Sequence, residues 1–179
     1  LAKNDDGTQV PEKDRIFGLE KAYKYLLTKE AQGKYKWIFL DSLTEISQLL
    51  VSSLKEKWPD KKNAMNLWGE YSDEMRSIIK QFRDLPGYNV IITALSKEAK
   101  DDEGQILTVP DVAGKISHQI PAYFDLVLYY HKEKTDQGFV RKLLTEGTDT
   151  IRAKDRSGAL NRLEEPNLRD IANKIKGEK

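Results

Sequence analysis

The chain has 179 residues, of which 39% are apolar and 33% charged, and 30 Lys and Arg against 29 Asp and Glu leave a formal net charge of +1. This balance excludes binding to nucleic acid or a membrane through overall positive charge, although it allows a local basic patch. The absence of cysteine excludes disulfides, iron–sulfur clusters and Cys-ligated zinc, and the two separated histidines, His118 and His131, argue against a His-based zinc site.

The first predicted elements alternate between helix and strand. Apolar residues at helical spacing predict a helix over Asp14–Gln32, with Gly33 as its C-terminal cap. The run Tyr35–Leu40 predicts a strand covered on both faces. The apolar run Trp37–Leu40 inside it, like every other apolar run of the chain, is far too short to span a membrane, so we expect a soluble, cytoplasmic protein. Ser42 can cap the next helix, with Glu45 completing a capping box.

The remaining elements continue the alternation. We expect a loop at Ser96–Pro110, which is long, charged and without apolar periodicity, and such a loop is usually functional or mobile. Strands that alternate with helices indicate an α/β fold whose sheet is mostly parallel, with antiparallel strands toward the C-terminus. The other predicted elements are helices through Leu43–Leu54, Leu67–Phe82, Val112–Ile120 and Asn167–Lys176, a loop at Trp58–Asn63, and strands at Asn89–Leu95, Phe124–Tyr130, Phe139–Thr145 and Thr150–Ala153.

Asp41 is the strongest candidate for chemistry. It follows an apolar strand, and ligands of open α/β sheets bind outside the carboxyl ends of the strands. A carboxylate at that place can hold the hydrated Mg²⁺ of a nucleoside triphosphate. The alternative is that Asp41 or Ser42 only caps the following helix.

A second set of candidates surrounds two later strand ends. Thr93 ends an apolar strand with a hydroxyl group, and Arg152, Lys154 and Arg156 place cations near the end of a short strand. Alternation sends Arg152 and Lys154 to the same face, with Arg156 in phase if the strand extends, and cations at a strand end suit phosphate oxygens. They equally suit a solvated basic edge that discourages sheet aggregation. Tyr129–His131 allows two interpretations as well, a base-stacking platform or a strand end with its tyrosines partly in the core.

Four segments of the chain carry a resemblance through their order and spacing: Trp37–Glu45, Leu85–Ala94, Val109–Ile116 with Ile120–Asp125, and Ala153–Ala159. Together they resemble the single-domain RecA-like ATPases that phages encode, a family of nucleotide-binding recombination proteins. The resemblance runs from about Asp14 to Lys176 and implies one RecA-like P-loop NTPase core over residues 1–179. The first segment resembles a Walker B strand, and the last resembles the family's lysine–arginine signature.

The chain departs from the family's pattern at the Walker A loop. Gly33-Lys34 is followed by Tyr35, and Gly114-Lys115 is followed by Ile116 without an upstream glycine, so neither matches a phosphate loop. The resemblance implies that this loop, and a strand ending in the glutamate that activates water, lie before Leu1. It also places the γ-phosphate sensor near Ala94, where the family has glutamine, so Thr93 or Ser96 would have to substitute.

The resemblance implies a function and roles for individual residues. The protein would bind ATP and Mg²⁺ at subunit interfaces of a ring or filament, in the cytoplasm of the phage's host, and would act on single-stranded DNA in annealing or strand exchange. Asp41 would hold the water shell of Mg²⁺, Ser42 would lie at the nucleotide, and Lys154 and Arg156 would reach a neighbour's γ-phosphate. A single-strand-binding protein is a further expected partner. The alternative is a non-catalytic interaction module of the same fold that binds no nucleotide.

The resemblance also places DNA on two loops. The lysines of the second loop are offset by Glu98, Asp101, Asp102 and Glu103, whereas a phosphate track should be net basic. DNA binding is therefore implied by the resemblance and not by the charge. The implied DNA-binding residues are Lys61 and Lys62 in the first loop and Lys97, Lys100 and Lys115 in the second.

Overall fold

The computed structural model describes residue 8, residues 16–136 and residues 138–177. The chain divides into two compact units, Leu1–Leu95 with Pro110–Ser117, and Ser96–Val109 with His118–Lys179. Both units mix helices with small sheets, which confirms a mixed α/β chain. The single RecA-like domain over residues 1–179 stays a prediction. In the part of the chain that is described, no helix is long and apolar enough to cross a membrane.

The first unit begins with two short helices, α1 (Phe17–Leu26) and α2 (Lys29–Lys34). The prediction of one helix over Asp14–Gln32 is therefore wrong, and its first two residues lie outside the described residues. The helix breaks because the Thr28 hydroxyl accepts a hydrogen bond from the Ala31 N–H at 3.3 Å and so caps a new helix. That helix continues through Gly33, which we expected to end it.

Strands β1 (Trp37–Leu40) and β2 (Asn89–Ile92) pair in parallel. This is a small two-stranded sheet, so the mostly parallel sheet that we predicted is not shown in the described residues. On one face of β1, Ile38 and Leu40 are covered, but on the other Trp37 and Phe39 are 37% and 57% exposed. The prediction of a strand covered on both faces is therefore wrong for this structure, because no described layer covers the second face.

Two long helices, α3 (Leu43–Lys57) and α4 (Ala64–Arg83), connect these strands and supply most of the first unit's core. The apolar positions predicted for α3 are all buried, whereas Trp68 of α4 is 43% exposed. A buried hydrogen bond of 2.7 Å joins the hydroxyls of Ser47 and Tyr71, and Ser47 Oγ also accepts the Ala113 N–H at 3.0 Å. The loop predicted at Trp58–Asn63 includes a short 3-10 helix, Lys61–Asn63.

In the second unit, the segment that we predicted as a loop forms a β-hairpin of β3 (Ser96–Lys100) and β4 (Ile106–Pro110). The Asp101 carboxylate accepts the N–H groups of Glu103 at 3.0 Å and Gln105 at 2.8 Å, and so fixes the turn. Gly104 lies in that turn with a φ of 83°. The charged residues of the segment obscured this alternation, in which Leu107 and Val109 of β4 point inward and are buried.

The rest of the second unit contains two further sheets. The first pairs β5 (Leu126–Val127) with β8 (Lys154–Asp155), and the second pairs β6 (Tyr129–Thr135), β7 (Gly138–Leu144) and β9 (Leu163–Glu164) in the order β6-β7-β9. All of these pairings are antiparallel. Helix α5 (Leu168–Lys176) begins at the cap Asn167 and ends at Gly177, which has a φ of 69°.

Three predictions in this region are wrong in detail. The helix expected at Val112–Ile120 consists instead of two 3-10 helices, Lys115–His118 and Ile120–Tyr123, the second with Pro121 in its first turn. The strand expected at Phe124–Tyr130 is split at Leu128 between two different sheets. The segment Thr150–Ala153 forms only a single parallel bridge, between Ile151 and Thr108.

Candidate functional site

The carboxyl ends of β1 and β2 bring Asp41 and Thr93 together. The two strands are parallel and in register, so the residues that follow them lie side by side. The Thr93 hydroxyl donates a hydrogen bond of 2.5 Å to Asp41 Oδ1. Two backbone bonds fix this arrangement, from the Thr93 N–H to the Leu40 carbonyl at 3.0 Å and from the Leu43 N–H to the Thr93 carbonyl at 2.8 Å. The Asp41 carboxylate is thus exposed and oriented at the strand end.

Ser42, not Asp41, caps helix α3. Its hydroxyl accepts the Glu45 N–H at 3.3 Å, as expected for an N-cap residue. The peptide bond between Asp41 and Ser42 is cis. The alternative in which Asp41 only caps the helix therefore has no support in the geometry, whereas for Ser42 the cap is observed and its role at a nucleotide stays a prediction.

The residues at this strand end fit a magnesium ion that arrives with a nucleotide. In the described part of the chain, no group of three or more His, Asp or Glu residues converges to hold a metal by itself. Mg²⁺ usually keeps several waters and binds one or two carboxylates together with substrate phosphates. One exposed carboxylate, held by a neighbouring hydroxyl, is the donor set that such an ion needs. Asp41 therefore suits hydrated Mg²⁺ better than it would suit a resident metal.

Lys154 and Arg156 lie in the second unit, at the end of the β5–β8 pair. Arg156 Nη1 donates to Asp125 Oδ1 at 3.1 Å, and the Arg156 N–H donates to the Asp125 carbonyl at 3.1 Å. Burial lowers the pKa of Lys154, the positive charge of Arg156 lowers it further, and Asp125 opposes both effects. The two cations are therefore close enough to repel each other, and their side chains occupy one small region with the Asp125 carboxylate.

Asp155, between the two cations, organises the turn that presents them. Its carboxylate accepts the Ser157 N–H at 2.7 Å, the Ser157 hydroxyl at 2.6 Å and the Leu160 N–H at 3.1 Å. Burial raises the pKa of Asp155, but these hydrogen bonds outweigh burial and lower it overall. Gly158 completes the turn with a φ of 67°. Sequence reasoning did not single out Asp125 or Asp155. The position of Asp155 between two cations is a signal from which it could have been predicted.

The other predicted site residues, Ser96 and the five lysines, belong to several elements and to both units. Ser96 begins β3 in the second unit and is exposed, and its role at a nucleotide stays a prediction. The five lysines predicted to bind DNA are divided between the units. Lys61, Lys62 and Lys115 lie at two 3-10 helices of the first, where the Lys61 side chain lies outside the description, while Lys97 and Lys100 lie on β3 of the second.

A family model described as an AAA domain matches residues 4–157, which is more than four fifths of the chain. The chain belongs to this family. Membership supports a nucleotide-binding, ATPase-like domain of the P-loop type, with ATP as the nucleotide and Mg²⁺ as its usual companion. The matched range includes Asp41, Thr93, Lys154 and Arg156. Neither the curated proteins nor the solved structures gave a match.

Proposed function

We propose that this AAA-family chain is part of a RecA-like ATPase of the phage recombination type, which hydrolyses ATP at subunit interfaces while acting on single-stranded DNA. The observation that carries the proposal is the Asp41–Thr93 pair at the carboxyl ends of two parallel strands. This is the place where open α/β sheets bind ligands. An exposed carboxylate that caps no helix and pairs with a hydroxyl suits hydrated Mg²⁺ better than it suits a structural role.

Each candidate residue has a role in this proposal. Asp41 would hold the water shell of Mg²⁺, and the Thr93 hydroxyl would keep that carboxylate oriented. Ser42 and Ser96 would lie at the nucleotide. Lys154 and Arg156 would stabilise the negative charge that develops on a neighbouring subunit's γ-phosphate, which requires self-association into a ring or filament. The bound Mg²⁺ would supply charge neutralisation on the phosphate oxygens.

The phosphate loop of this ATPase is not supplied by the 179 residues, none of which form a Gly-Lys-[Ser/Thr] motif. We therefore expect the chain alone to bind ATP–Mg weakly, and hydrolysis to need a polypeptide that carries the loop. Annealing or strand exchange, a single-strand-binding protein as partner, the host cytoplasm as location, and DNA contacts from Lys61, Lys62, Lys97, Lys100 and Lys115 belong to the same proposal.

The test is Asp41→Asn in the protein that carries both this chain and a phosphate loop. The amide still accepts the Thr93 hydrogen bond, so we expect the fold to persist with a loss of less than about 1 kcal/mol in the free energy of unfolding. A neutral amide holds hydrated Mg²⁺ poorly, so ATP hydrolysis should fall by roughly a hundredfold or more.

Asp60→Asn, an exposed carboxylate in the loop before α4, is the matched control and should leave hydrolysis unchanged. Wild-type turnover in Asp41→Asn would contradict the assignment of Asp41. Failure of the loop-bearing protein to bind ATP–Mg in calorimetry would favour the alternative, a non-catalytic interaction module of the same fold.

A further inference from the structure

One face of the β6–β7 hairpin combines cations with exposed aromatic rings. Directly opposed residues of an antiparallel pair share a face, and the register pairs Lys132 with Arg141 and Lys134 with Phe139. Tyr130, two residues before Lys132, points to the same side. We call these five residues the basic face; all five are exposed, Tyr130 by 53% and Phe139 by 72%.

The basic face keeps its positive charge. Glu164, which lies opposite Leu143 and so shares this side of the sheet, is bonded to Lys174. The three cations of the basic face have no ion pair with any residue that the structure describes, in contrast to Lys142, whose partner is Glu165. Glu133 alternates to the opposite side of the sheet, where it lies across from Val140. The opposite side also holds Tyr129 stacked on His131, with ring centroids 5.9 Å apart. The hairpin therefore separates a cationic, aromatic surface from a mixed one.

We propose that the basic face binds single-stranded DNA. Cations along a strand neutralise backbone phosphates, and exposed aromatic rings offer platforms on which unpaired bases stack. Stacking requires bases that are not already stacked inside a duplex, and two rings flank the cations. This surface differs from the loop lysines of the proposed function and from its nucleotide site. The proposal deepens the proposed function, because the choice of single-stranded DNA as the ligand rests on that function. Binding of DNA to the basic face itself needs no ATP.

The two tyrosines beside His131 have different surroundings. Tyr129 is half-buried and belongs to the opposite side of the sheet, whereas Tyr130 is exposed and accompanied by cations. Of the two interpretations of Tyr129–His131, the core role suits Tyr129, and base stacking suits Tyr130. The more exposed ring is Phe139 on the neighbouring strand, which the sequence did not single out because it lies inside a predicted strand.

The test measures fluorescence anisotropy of a labelled oligothymidine with the 179-residue chain, without nucleotide, over a series of salt concentrations. A variant combining Lys132→Ala, Lys134→Ala and Arg141→Ala should weaken binding at least about tenfold at low salt, and should lower the slope of log K against log salt by about 2, since each lost phosphate contact contributes roughly 0.7. Phe139→Ala should weaken binding about tenfold with little change in slope. Arg141→Lys should retain the slope.

Two controls separate the basic face from general charge and exposure. Lys29→Ala, Lys55→Ala and Lys176→Ala together remove three exposed cations on helices, and Phe39→Ala removes another exposed ring. Both variants should bind as the wild type does. Circular dichroism should show the wild-type spectrum for every variant compared.

The inference is overturned if the triple hairpin variant binds with the wild-type affinity and salt slope. It is also overturned if the wild type does not bind the oligonucleotide, or binds an acidic peptide such as polyglutamate in its place. Loss of binding only in Lys62→Ala, Lys100→Ala and Lys115→Ala would overturn the inference and leave the proposed function intact. If the loop-bearing protein fails to bind ATP while DNA binding still depends on the hairpin, the proposed function is overturned and the inference stands.

Discussion

At the scale of single residues, Glu164 of the second unit is a buried carboxylate that several hydrogen bonds hold in place. It is 6% exposed and accepts the Asn161 N–H at 2.8 Å and two contacts from Lys174 Nζ at 2.6 and 2.8 Å. Burial raises the pKa of Glu164, but the hydrogen bonds from Lys174 and Asn161 outweigh burial and hold it below its ordinary value of 4.5. Glu164 thus joins the end of β9 to helix α5.

This depressed pKa predicts a pH dependence of stability. A carboxyl group with a lower pKa in the folded state stabilises the fold above the unfolded-state pKa, near 4.5, and loses that contribution as the pH falls through the folded-state pKa. We expect the free energy of unfolding, measured with urea, to fall below that pH, and Glu164→Gln to flatten this dependence. Glu146→Gln, at an exposed carboxylate that has no ion pair with any described residue, should leave it unchanged. Asp155, whose pKa is also lowered, keeps part of the dependence in Glu164→Gln, so only a slope as steep as that of the wild type would contradict the assignment.

Several residues of the candidate site could be predicted from the sequence because their signals are local. An apolar run that ends in Asp41-Ser42 marks a strand end followed by a cap, and the cap forms as expected. The bond from Thr93 to Asp41 could not be predicted, because it depends on the register of strands 52 residues apart in the chain. The pairing of Arg156 with Asp125 was missed for the same reason, since it spans 31 residues.

At the scale of elements, helices α3 and α4 are joined to the segment at Ala113 by one polar network inside an apolar core. Tyr71 is fully buried, and burial raises the pKa of its hydroxyl, so the group is neutral. Ser47 Oγ accepts a hydrogen bond from the Ala113 N–H and forms a second hydrogen bond with Tyr71 Oη. A hydroxyl can serve both partners, because it has one donor hydrogen and two acceptor lone pairs.

Removing the two hydroxyls separately should therefore have unequal effects. Tyr71→Phe leaves Ser47 bonded to Ala113 and should cost about 1 kcal/mol in the free energy of unfolding. Ser47→Ala leaves both the tyrosine hydroxyl and the Ala113 N–H without that partner and should cost about 2–3 kcal/mol. Urea unfolding of both variants and of the double variant measures the coupling. If the two single variants lose equal amounts of unfolding free energy and the losses add in the double variant, Ser47 does not act as a shared partner of Tyr71 and Ala113.

The long helices α3 and α4 were the elements best predicted from sequence, and the short strands were the worst. The apolar stripes of α3 and α4 continue over several turns and match the observed cores. Strands β8 and β9 are only two residues long, so they have no repeat to recognise and exist because their partners are nearby. The β3–β4 hairpin was read as a loop because charged side chains alternate with its inward residues.

At the scale of the whole molecule, the range that matches the AAA-domain family includes candidate residues in both units. Asp41 and Thr93 belong to the first unit, while Lys154 and Arg156 belong to the second. In the proposed function, the cations of one subunit complete the site of the next. The side chains of the Arg156–Asp125 pair are 59% and 82% exposed, so the fold depends little on this pair. In the proposed function, Arg156 would exchange Asp125 for a phosphate.

This arrangement predicts complementation between inactive subunits. In the loop-bearing protein, Lys154→Ala and Arg156→Ala should each retain ATP binding, and loss of the arginine should lower the hydrolysis rate by ~10³-fold. Asp41→Asn and Arg156→Ala subunits should be inactive alone and regain partial activity when mixed, because some interfaces combine an intact Asp41 with an intact Arg156.

Asp125→Asn distinguishes this role from a purely structural one. If Arg156 served only to hold Asp125, the two variants would lose activity equally, whereas a role at phosphate leaves Asp125→Asn largely active. Co-assembly without any recovery of activity in the mixture would show that Arg156 does not act on a neighbour.

The division into two units has an optical consequence. All three tryptophans of the chain, Trp37, Trp58 and Trp68, belong to the first unit, whereas the second contains only tyrosines as emitting side chains. Trp37 and Trp68 are partly exposed, and Trp58 donates its indole N–H to Glu70 at 2.8 Å. Indole emission therefore reports on the first unit alone. The urea unfolding transition of the indole emission can be compared with the transition of the far-ultraviolet circular dichroism spectrum. The comparison reveals whether the two units unfold together or one after the other.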